Sequence, residues 1–159
     1  LFWNAGAALS STFVPVPPES TGDLGTPLVG RGASYADIDG DGDLDVLLLQ
    51  TGERAVLLRN DQQLGHRWLR LVLQGNGASV NRDAIGTWVE LEAGGEVQRR
   101  QVMPSRSYQS QVELPLTFGL GTTPQVDRAA VLWPDGTEQA LDPSMLELDR
   151  EHRIEQGGP

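Results

Sequence analysis

The sequence predicts an all-β fold in two parts, and three observations lead to this prediction. In the second part, short segments of alternating apolar and polar residues recur roughly every 8 to 12 residues, with turn sequences between them. In the first part, a continuous apolar run at residues 46–49 directly follows an acidic loop. Neither part shows the period of apolar residues that is typical of a helix.

The composition excludes several classes of function. The chain has 159 residues and no Cys, with a formal net charge of -10 and a pI near 4.5. Such a charge disfavours binding to nucleic acid or to anionic lipid. The absence of Cys excludes disulfides, thiolate zinc sites and a Cys nucleophile. No apolar stretch approaches the roughly 18 residues of a membrane span.

The first part, residues 1–62, is predicted to contain few strands. Residues 5–30 are rich in Ser, Thr, Pro and Gly, which predicts a long loop with an edge strand near residues 13–16. The apolar run at 46–49 is typical of a strand buried on both faces, and residues 55–58 form a second strand after a Thr-Gly turn. One such unit cannot bury its apolar face alone. We therefore expect it to pack on the second part, on neighbouring repeats or on another subunit.

The second part, residues 63–159, is predicted to be an antiparallel β-sandwich, with the boundary between the parts near residues 62–66. Alternation places Leu69, Leu71 and Leu73 on one face of their strand and Trp68, Arg70 and Val72 on the other. Gly94-Gly95 predicts a hairpin turn, and Pro134-Asp135-Gly136 and Asn81-Arg82-Asp83 predict tight turns. The predicted strands lie at residues 68–73, 87–93, 97–103, 114–120 and 129–133.

The acidic loop carries the strongest chemical signal. Its five carboxylates, at every second position, are those of Asp37, Asp39, Asp41, Asp43 and Asp45. They repel one another, and no cationic residue lies within the loop. A hard cation would offset the repulsion, with Asp37, Asp39 and Asp41 as the first ligands, a backbone carbonyl at Asp43, and Asp45 completing the shell. All-oxygen ligation favours Ca²⁺ over zinc or copper, and the several carboxylates favour it over magnesium, which prefers to keep its waters.

An EF-hand is disfavoured for this loop. Its twelfth position, counted from Asp37, is Leu48, where an EF-hand needs a bidentate Glu. The flanking segments are also strand-like rather than helical. A solvated acidic turn without metal is the alternative interpretation.

The acidic loop and the segment before it, Gly-Arg-Gly-Ala-Ser-Tyr-Ala at residues 30–36, resemble the FG-GAP or VCBS repeat of integrin-type β-propellers. The second part resembles the ASPIC/UnbV domain that follows such repeats in the cartilage acidic protein family. Four motifs carry this resemblance in order: NRDAIG at 81–86, SYQSQ at 107–111, FGLG at 118–121 and VLWPDG at 131–136. The resemblance implies a partial propeller-like repeat with a calcium loop, joined to a β-rich domain that is usually exported. It implies no known reaction.

A weak internal match supports the repeat. Leu-Phe-Trp-Asn at residues 1–4 aligns with Leu-Leu-Arg-Asn at 57–60. We therefore expect residues 1–62 to hold the end of one repeat and most of a second, and the chain to be a piece of a longer protein.

Three residues are predicted to form a partner-binding surface. The alternation places Trp88 on the outer face of its strand, beside Glu90 and Glu92, where it could stack on a sugar ring or anchor a protein. Ala130 and Leu132 point opposite to the core residues of their strand, so both faces of that strand are apolar. Another element or another protein is expected to cover this surface.

The catalytic alternatives are weaker. Glu90 and Glu92 could form a carboxylate pair for glycoside hydrolysis, but Arg99 or Arg100 on the next strand is expected to oppose them. His66 and His152 lie far apart in sequence, and no Gly-x-Ser-x-Gly turn supplies a nucleophile.

The sequence therefore predicts a non-catalytic, calcium-binding structural or protein-interaction module of an exported protein or larger assembly. A carbohydrate-binding module that uses Trp88 and a carboxylate-dependent hydrolase stay open as alternatives. The predicted partners are proteins, neighbouring repeats or subunits, with a glycan as the alternative ligand. Extracellular calcium loops bind at about 10⁻⁴ to 10⁻³ M, which predicts a periplasmic, cell-surface or secreted location.

Overall fold

The computed structural model describes residues 2–5 and 12–158. Over these residues the fold is all-β, with several antiparallel sheets and three short 3-10 turns but no α-helix, which confirms the predicted class. The 3-10 turns are Pro18–Ser20, Gly22–Gly25 and Pro143–Met145. The strands are β1 (Phe2–Asn4), β2 (Phe13–Pro15), β3 (Gly30–Ala36), β4 (Asp45–Gln50), β5 (Val56–Leu58), β6 (Arg67–Gln74), β7 (Trp88–Ala93), β8 (Glu96–Gln101), β9 (Ser105–Ser107), β10 (Ser110–Gln111), β11 (Leu116–Gly121), β12 (Arg128–Leu132), β13 (Glu138–Leu141) and β14 (Glu151–Glu155).

Two sheets hold the hydrophobic core. One has the strand order β11-β6-β14 and the other β13-β12-β7-β8. Leu69 and Leu71 of β6 are fully buried, as are Val89 and Leu91 of β7. All four belong to one core cluster, which Phe118 of β11 also joins. The predicted alternation of apolar residues along these strands is therefore confirmed.

The predicted hairpin and turns form as expected. The β7-β8 hairpin turns at Gly94 and Gly95, which have φ of 60° and 81°. Positive φ at both central residues is the geometry of a two-residue hairpin turn, and Gly adopts it without steric cost. Asn81 closes the turn that precedes β7. Its side chain accepts from the Ile85 N–H at 2.9 Å and donates to the Ile85 carbonyl at 3.0 Å.

The sequence predicted a wholly antiparallel sandwich, and this prediction is wrong in one place. Strand β14 runs parallel to β6. The chain leaves β13 in one sheet, passes through the turn at Pro143–Met145 and joins the opposite sheet beside β6. A parallel pair needs such a crossover connection. Strand β14 was not predicted, because its single strongly apolar residue, Ile154, gives only a weak alternating pattern.

The N-terminal part contains the three-stranded antiparallel sheet β3-β4-β5 and the two-stranded pair β1-β2. The strand β2 lies where an edge strand was predicted. The prediction that residues 46–49 are buried on both faces is wrong for this chain. Leu47 and Leu49 are 38% and 46% exposed, and Leu57, which pairs with Leu47 across the strands, is also exposed. No described residue of β3, β4 or β5 belongs to the core cluster.

The N-terminal sheet meets the sandwich along β3. The Ser34 hydroxyl donates to the Gln111 carbonyl, and the Glu113 N–H donates to the Tyr35 carbonyl at 3.4 Å. These contacts join β3 to β10 and to the segment between β10 and β11. Leu1 of the expected repeat and residues 6–11 of the expected loop lie outside the described residues. In the part of the chain that is described, no helix combines the length and hydropathy needed to cross a membrane.

Candidate metal centre and its surroundings

The acidic loop connects β3 to β4. Asp37 directly follows β3, and Asp45 is the first residue of β4, where it pairs with Ala36. This pairing brings the two ends of the loop together. Carboxylate oxygens of Asp37, Asp39 and Asp45 lie within 4.8 Å of one another, so the structure gathers three of the five predicted ligands.

Asp37 organises the turn. Its side chain is only 2% exposed. Its Oδ1 accepts from the Gly40 N–H at 2.8 Å and its Oδ2 from the Gly42 N–H at 3.1 Å. Both glycines have positive φ, 78° and 93°, which bends the backbone around the carboxylate.

Asp45 closes the loop from the other side. It is 2% exposed, and its Oδ2 accepts from the Ile38 N–H at 2.9 Å. Its Oδ1 accepts from the Asn60 N–H at 2.8 Å, which ties the segment after β5 to the loop. An ionised carboxylate has about four lone-pair sites, so Asp37 and Asp45 each keep acceptor capacity after these bonds.

Asp41 and Asp43 lie outside the three-residue cluster. The Asp41 Oδ1 accepts from the Asp43 N–H at 2.9 Å. The Asp43 Oδ1 accepts from Gln62 Nε2 at 3.0 Å. Their carboxylates therefore fold the loop and fasten it to the segment before β6.

A buried arginine of the sandwich reaches the loop. Arg70 is 8% exposed, and its Nη1 lies 3.6 Å from the Asp37 Oδ2. It also pairs with Glu113, through Nη1 to Oε1 at 2.8 Å and through Nη2 to Oε2. Its Nε lies 3.2 Å from Glu151 Oε2, so one guanidinium group serves three carboxylates.

Desolvation lowers the pKa of Arg70, but the hydrogen bonds and charge of Glu113 and the charge of Asp37 raise it more. The sequence alternation placed Arg70 on the face of its strand opposite Leu69 and Leu71, and it did not identify Glu113. A charged residue in the middle of an otherwise apolar strand was the available signal, since Arg is rarely buried unless it is paired.

The second cation near the loop is exposed. Arg59 Nη1 lies 3.8 Å from Asp39 Oδ2, and Arg59 Nε pairs with Asp61 at 2.8 Å. Desolvation raises the pKa of Asp39, and the charges of Asp41 and Asp45 raise it further, although Arg59 opposes them. Ionisation of Asp39 is therefore less favourable than that of an isolated Asp side chain.

The loop also packs on an aromatic ring. A Cβ placed on Gly42 would lie 2.2 Å from the Trp68 ring. Only a glycine allows this approach, because the ring occupies the space that any side chain would need. The contact sets the acidic loop directly against β6.

The predicted partner surface lies on the outer face of the β13-β12-β7-β8 sheet. Trp88 is 37% exposed and Leu132 is 41% exposed, while Ala130 is half-buried. These residues line a cavity of about 230 Å³. The Arg99 guanidinium carbon lies 5.2 Å from the centre of the Trp88 ring. No described element of the chain covers this face.

The predicted catalytic alternatives are engaged elsewhere. Glu90 pairs with Arg128 and lies 3.7 Å from Arg99, and Glu92 lies 3.7 Å from Arg128. Arg99 opposes Glu90, as the strand alternation predicted. His66 is exposed, and His152 Nε2 lies 2.8 Å from the Glu147 carbonyl oxygen.

Comparison with known protein families finds a match over part of the chain. The model of the family described as ASPIC and UnbV matches residues 77–159. The matched region runs from the turn after β6 to β14 and contains the predicted partner surface. The acidic loop lies before it. No curated protein matches the chain.

Proposed function

The chain belongs to the ASPIC and UnbV family, and from this premise we propose that it is a non-catalytic, calcium-binding structural module of an exported protein. The bound ion would sit in the acidic loop, at the joint between the N-terminal sheet and the sandwich. The observation that carries this proposal is the buried carboxylate of Asp37, grouped within 4.8 Å of Asp39 and Asp45.

The charges around the joint do not balance. Among the described residues, the carboxylates of Asp37, Asp39, Asp45, Glu113 and Glu151 meet two guanidinium groups, those of Arg59 and Arg70. Arg59 is also shared with Asp61. Buried charges are costly unless they are paired or bind a metal. A divalent cation would offset most of the excess negative charge, and Asp37, Asp39 and Asp45 would supply carboxylate oxygens to it.

The chemistry of the donors supports calcium. The three side chains offer only oxygen ligands, and hard cations prefer oxygen. Calcium accepts six to eight oxygen ligands in flexible geometry, so backbone carbonyls and waters would complete the shell. The weak affinity typical of extracellular calcium loops would fit an extracytoplasmic location.

A calcium ion held in the acidic loop would stabilise the contact between the N-terminal sheet and the sandwich. The loop contacts the sandwich through Gly42 on Trp68, Asp37 beside Arg70, and the Asp37 N–H on Glu113 Oε2 at 3.3 Å. Neutralising the loop would therefore stabilise this joint. We expect the module to serve as a structural element of a larger assembly.

We further propose that β3, β4 and β5 form an FG-GAP-like repeat that packs on a neighbouring repeat. The acidic loop joins the first two of these strands, as the sequence resemblance implies. The exposed face formed by Leu47, Leu49 and Leu57 is the surface that a neighbour would cover. Exposed apolar patches of this kind are typical of interfaces.

Thermal unfolding in calcium and in excess EGTA tests the calcium proposal. Because binding to the folded state alone stabilises it, the melting temperature should be higher in calcium. Asp37→Asn should abolish that difference, whereas Asp23→Asn, the same charge change at an exposed residue of the 3-10 turn Gly22–Gly25, should preserve it. Equal melting temperatures of the unmodified chain in calcium and EGTA would refute the proposal.

A further inference from the structure

A second cavity lies on the other side of the Trp88 and Arg99 pair. This cleft, of about 360 Å³, opens between the edge strand β8, the start of β11 and the N-terminal sheet. Trp88 and Arg99 line both cavities, so the pair forms a ridge between them. The volume lies within the usual range for small-molecule sites, roughly 300 to 1,000 Å³.

The cleft is basic in a strongly acidic protein. Three of the twelve basic residues, Arg99, Arg100 and Arg106, line it. Among the described residues, the one carboxylate in its lining is that of Glu113, which is already paired with Arg70. The rest of the chain carries an excess of negative charge, so a local cluster of positive charge indicates a site for an anion.

Two of these arginines have no ion pair with any described residue. Arg100 contacts Gln98 Oε1 at 3.4 Å and lies 5.4 Å above the Phe118 ring. Arg106 contacts the Gln101 carbonyl, also at 3.4 Å. Desolvation lowers the pKa of Arg100, and the charge of Arg106 lowers it further against the opposing effect of Tyr35. Two neighbouring cations without a counterion favour an anionic ligand.

The walls of the cleft restrict the kind of anion. Apolar and aromatic side chains, among them Trp88 and Met103, form much of the lining beside the arginines. A small inorganic anion would leave this wall without contacts. A ligand that carries a carboxylate beside a flat apolar face would use both features, because guanidinium groups bind carboxylates in two-point geometry and aromatic rings pack on apolar ring faces.

We propose that this cleft binds an acidic sugar, a uronic acid unit of an anionic polysaccharide. Arg100 and Arg106 hold its carboxylate, and the exposed part of Trp88 packs on the sugar ring. The proposal rests on the cleft alone and does not depend on calcium in the acidic loop.

Isothermal titration of the 159-residue chain with trigalacturonate, in calcium buffer, tests the proposal. We expect binding, and we expect Arg100→Gln with Arg106→Gln to weaken it by at least about tenfold, the loss typical of a removed charge-assisted bond. The matched control is Arg54→Gln, an exposed arginine outside every cavity described above, which should leave the affinity unchanged within about twofold. Neutral maltotriose should bind at least about tenfold more weakly.

Several results would overturn the proposal. These are no binding of trigalacturonate at millimolar concentration, equal binding of maltotriose, and equal binding of triglutamate, which would assign the cleft to acidic peptides. Calcium could also bridge the sugar to the acidic loop. In that case Asp37→Asn would abolish binding while the two arginine changes would not. This result would also refute the proposal that the cleft binds the sugar. Arg106 is exposed, so Arg106→Gln alone should leave the fold intact. Weaker binding by this single variant would therefore reflect loss of the ligand contact rather than loss of folding.

Discussion

Arg70 and Glu113 form a two-point ion pair at the contact between the acidic loop and the sandwich. Arg70 comes from β6 in the sandwich sheet, and Glu113 precedes β11. The same guanidinium group lies 3.6 Å from Asp37, and the Glu113 carboxylate accepts the Asp37 N–H. The pair therefore joins the candidate metal centre to the hydrophobic core.

Arg70→Gln should destabilise the protein strongly. The change leaves the carboxylates of Asp37 and Glu113 buried without their cation, and breaking a buried pair typically costs about 3 to 5 kcal/mol. The loss should be smaller in calcium than in EGTA, because a bound cation would supply part of the missing charge. Chemical denaturation in both buffers measures the two losses.

Arg150→Gln is the control for this measurement. Its pair with Glu147 is exposed at both side chains, and exposed pairs contribute at most about 1 kcal/mol. Equal effects of the two arginine changes would show that Arg70 is not a buried structural cation.

Gly42→Ala should destabilise the loop more than Gly40→Ala. Both positions have positive φ, which costs an alanine about 1 to 2 kcal/mol. The added methyl group meets open space at Gly40 but would overlap the Trp68 ring at Gly42. Thermal unfolding measures the difference, and equal losses would mean that the loop does not pack on Trp68 in solution.

Thr87→Val should stabilise the protein or leave it unchanged. Thr87 is fully buried, and its Oγ1 has no hydrogen-bond partner among the described residues. An unsatisfied buried polar group costs about 1 to 3 kcal/mol, and an apolar group of the same shape removes that cost. A fall in the free energy of unfolding would show that Thr87 makes a bond in solution.

Thr117→Val is the opposing case. The Thr117 hydroxyl accepts from Arg70 Nη1 at 3.0 Å, so the same substitution should destabilise by about 1.5 to 3 kcal/mol.

Asp39→Asn should raise the melting temperature of the metal-free protein at pH 7. Desolvation and the neighbouring aspartates raise the pKa of Asp39 above its ordinary value of 3.8. Protonated Asp39 therefore adds to the free energy of unfolding below pH 3.8, and this contribution is lost as the pH rises through the raised pKa. At neutral pH the ionised side chain opposes folding. Melting curves in EGTA from pH 3 to 7 should show the advantage of the variant growing with pH. Calcium should reverse this advantage, because the variant removes a ligand.

Asp135→Asn should show the opposite dependence on pH. Hydrogen bonds from Ser79, Thr137 and Gln156 lower the pKa of Asp135 below its ordinary value of 3.8. Its contribution to stability is therefore present above pH 3.8 and is lost as the pH falls below that value. The variant should melt at a lower temperature at pH 7, and the difference should shrink below pH 4. A constant difference across this range would argue against these bonds.

The local features of this protein were readable from short stretches of its sequence. Alternation identified the buried faces of β6 and β7, and the glycine pair at residues 94 and 95 identified β8 as the hairpin partner of β7. The spacing of the aspartates identified the acidic loop, of which Asp37, Asp39 and Asp45 form the cluster. These features depend on neighbouring residues, so a sequence window contains the information that they need.

Tertiary structure alone decided the surroundings of that loop. The Arg70 to Glu113 pair spans 43 positions, and the parallel placement of β14 beside β6 depends on which sheet the chain joins after β13. Likewise, a run of apolar residues on β4 did not reveal that Leu47 and Leu49 stay exposed in this chain. Periodicity indicates which residues favour burial, but the order of the strands determines which surfaces and charges meet, because that order arises from contacts between distant segments.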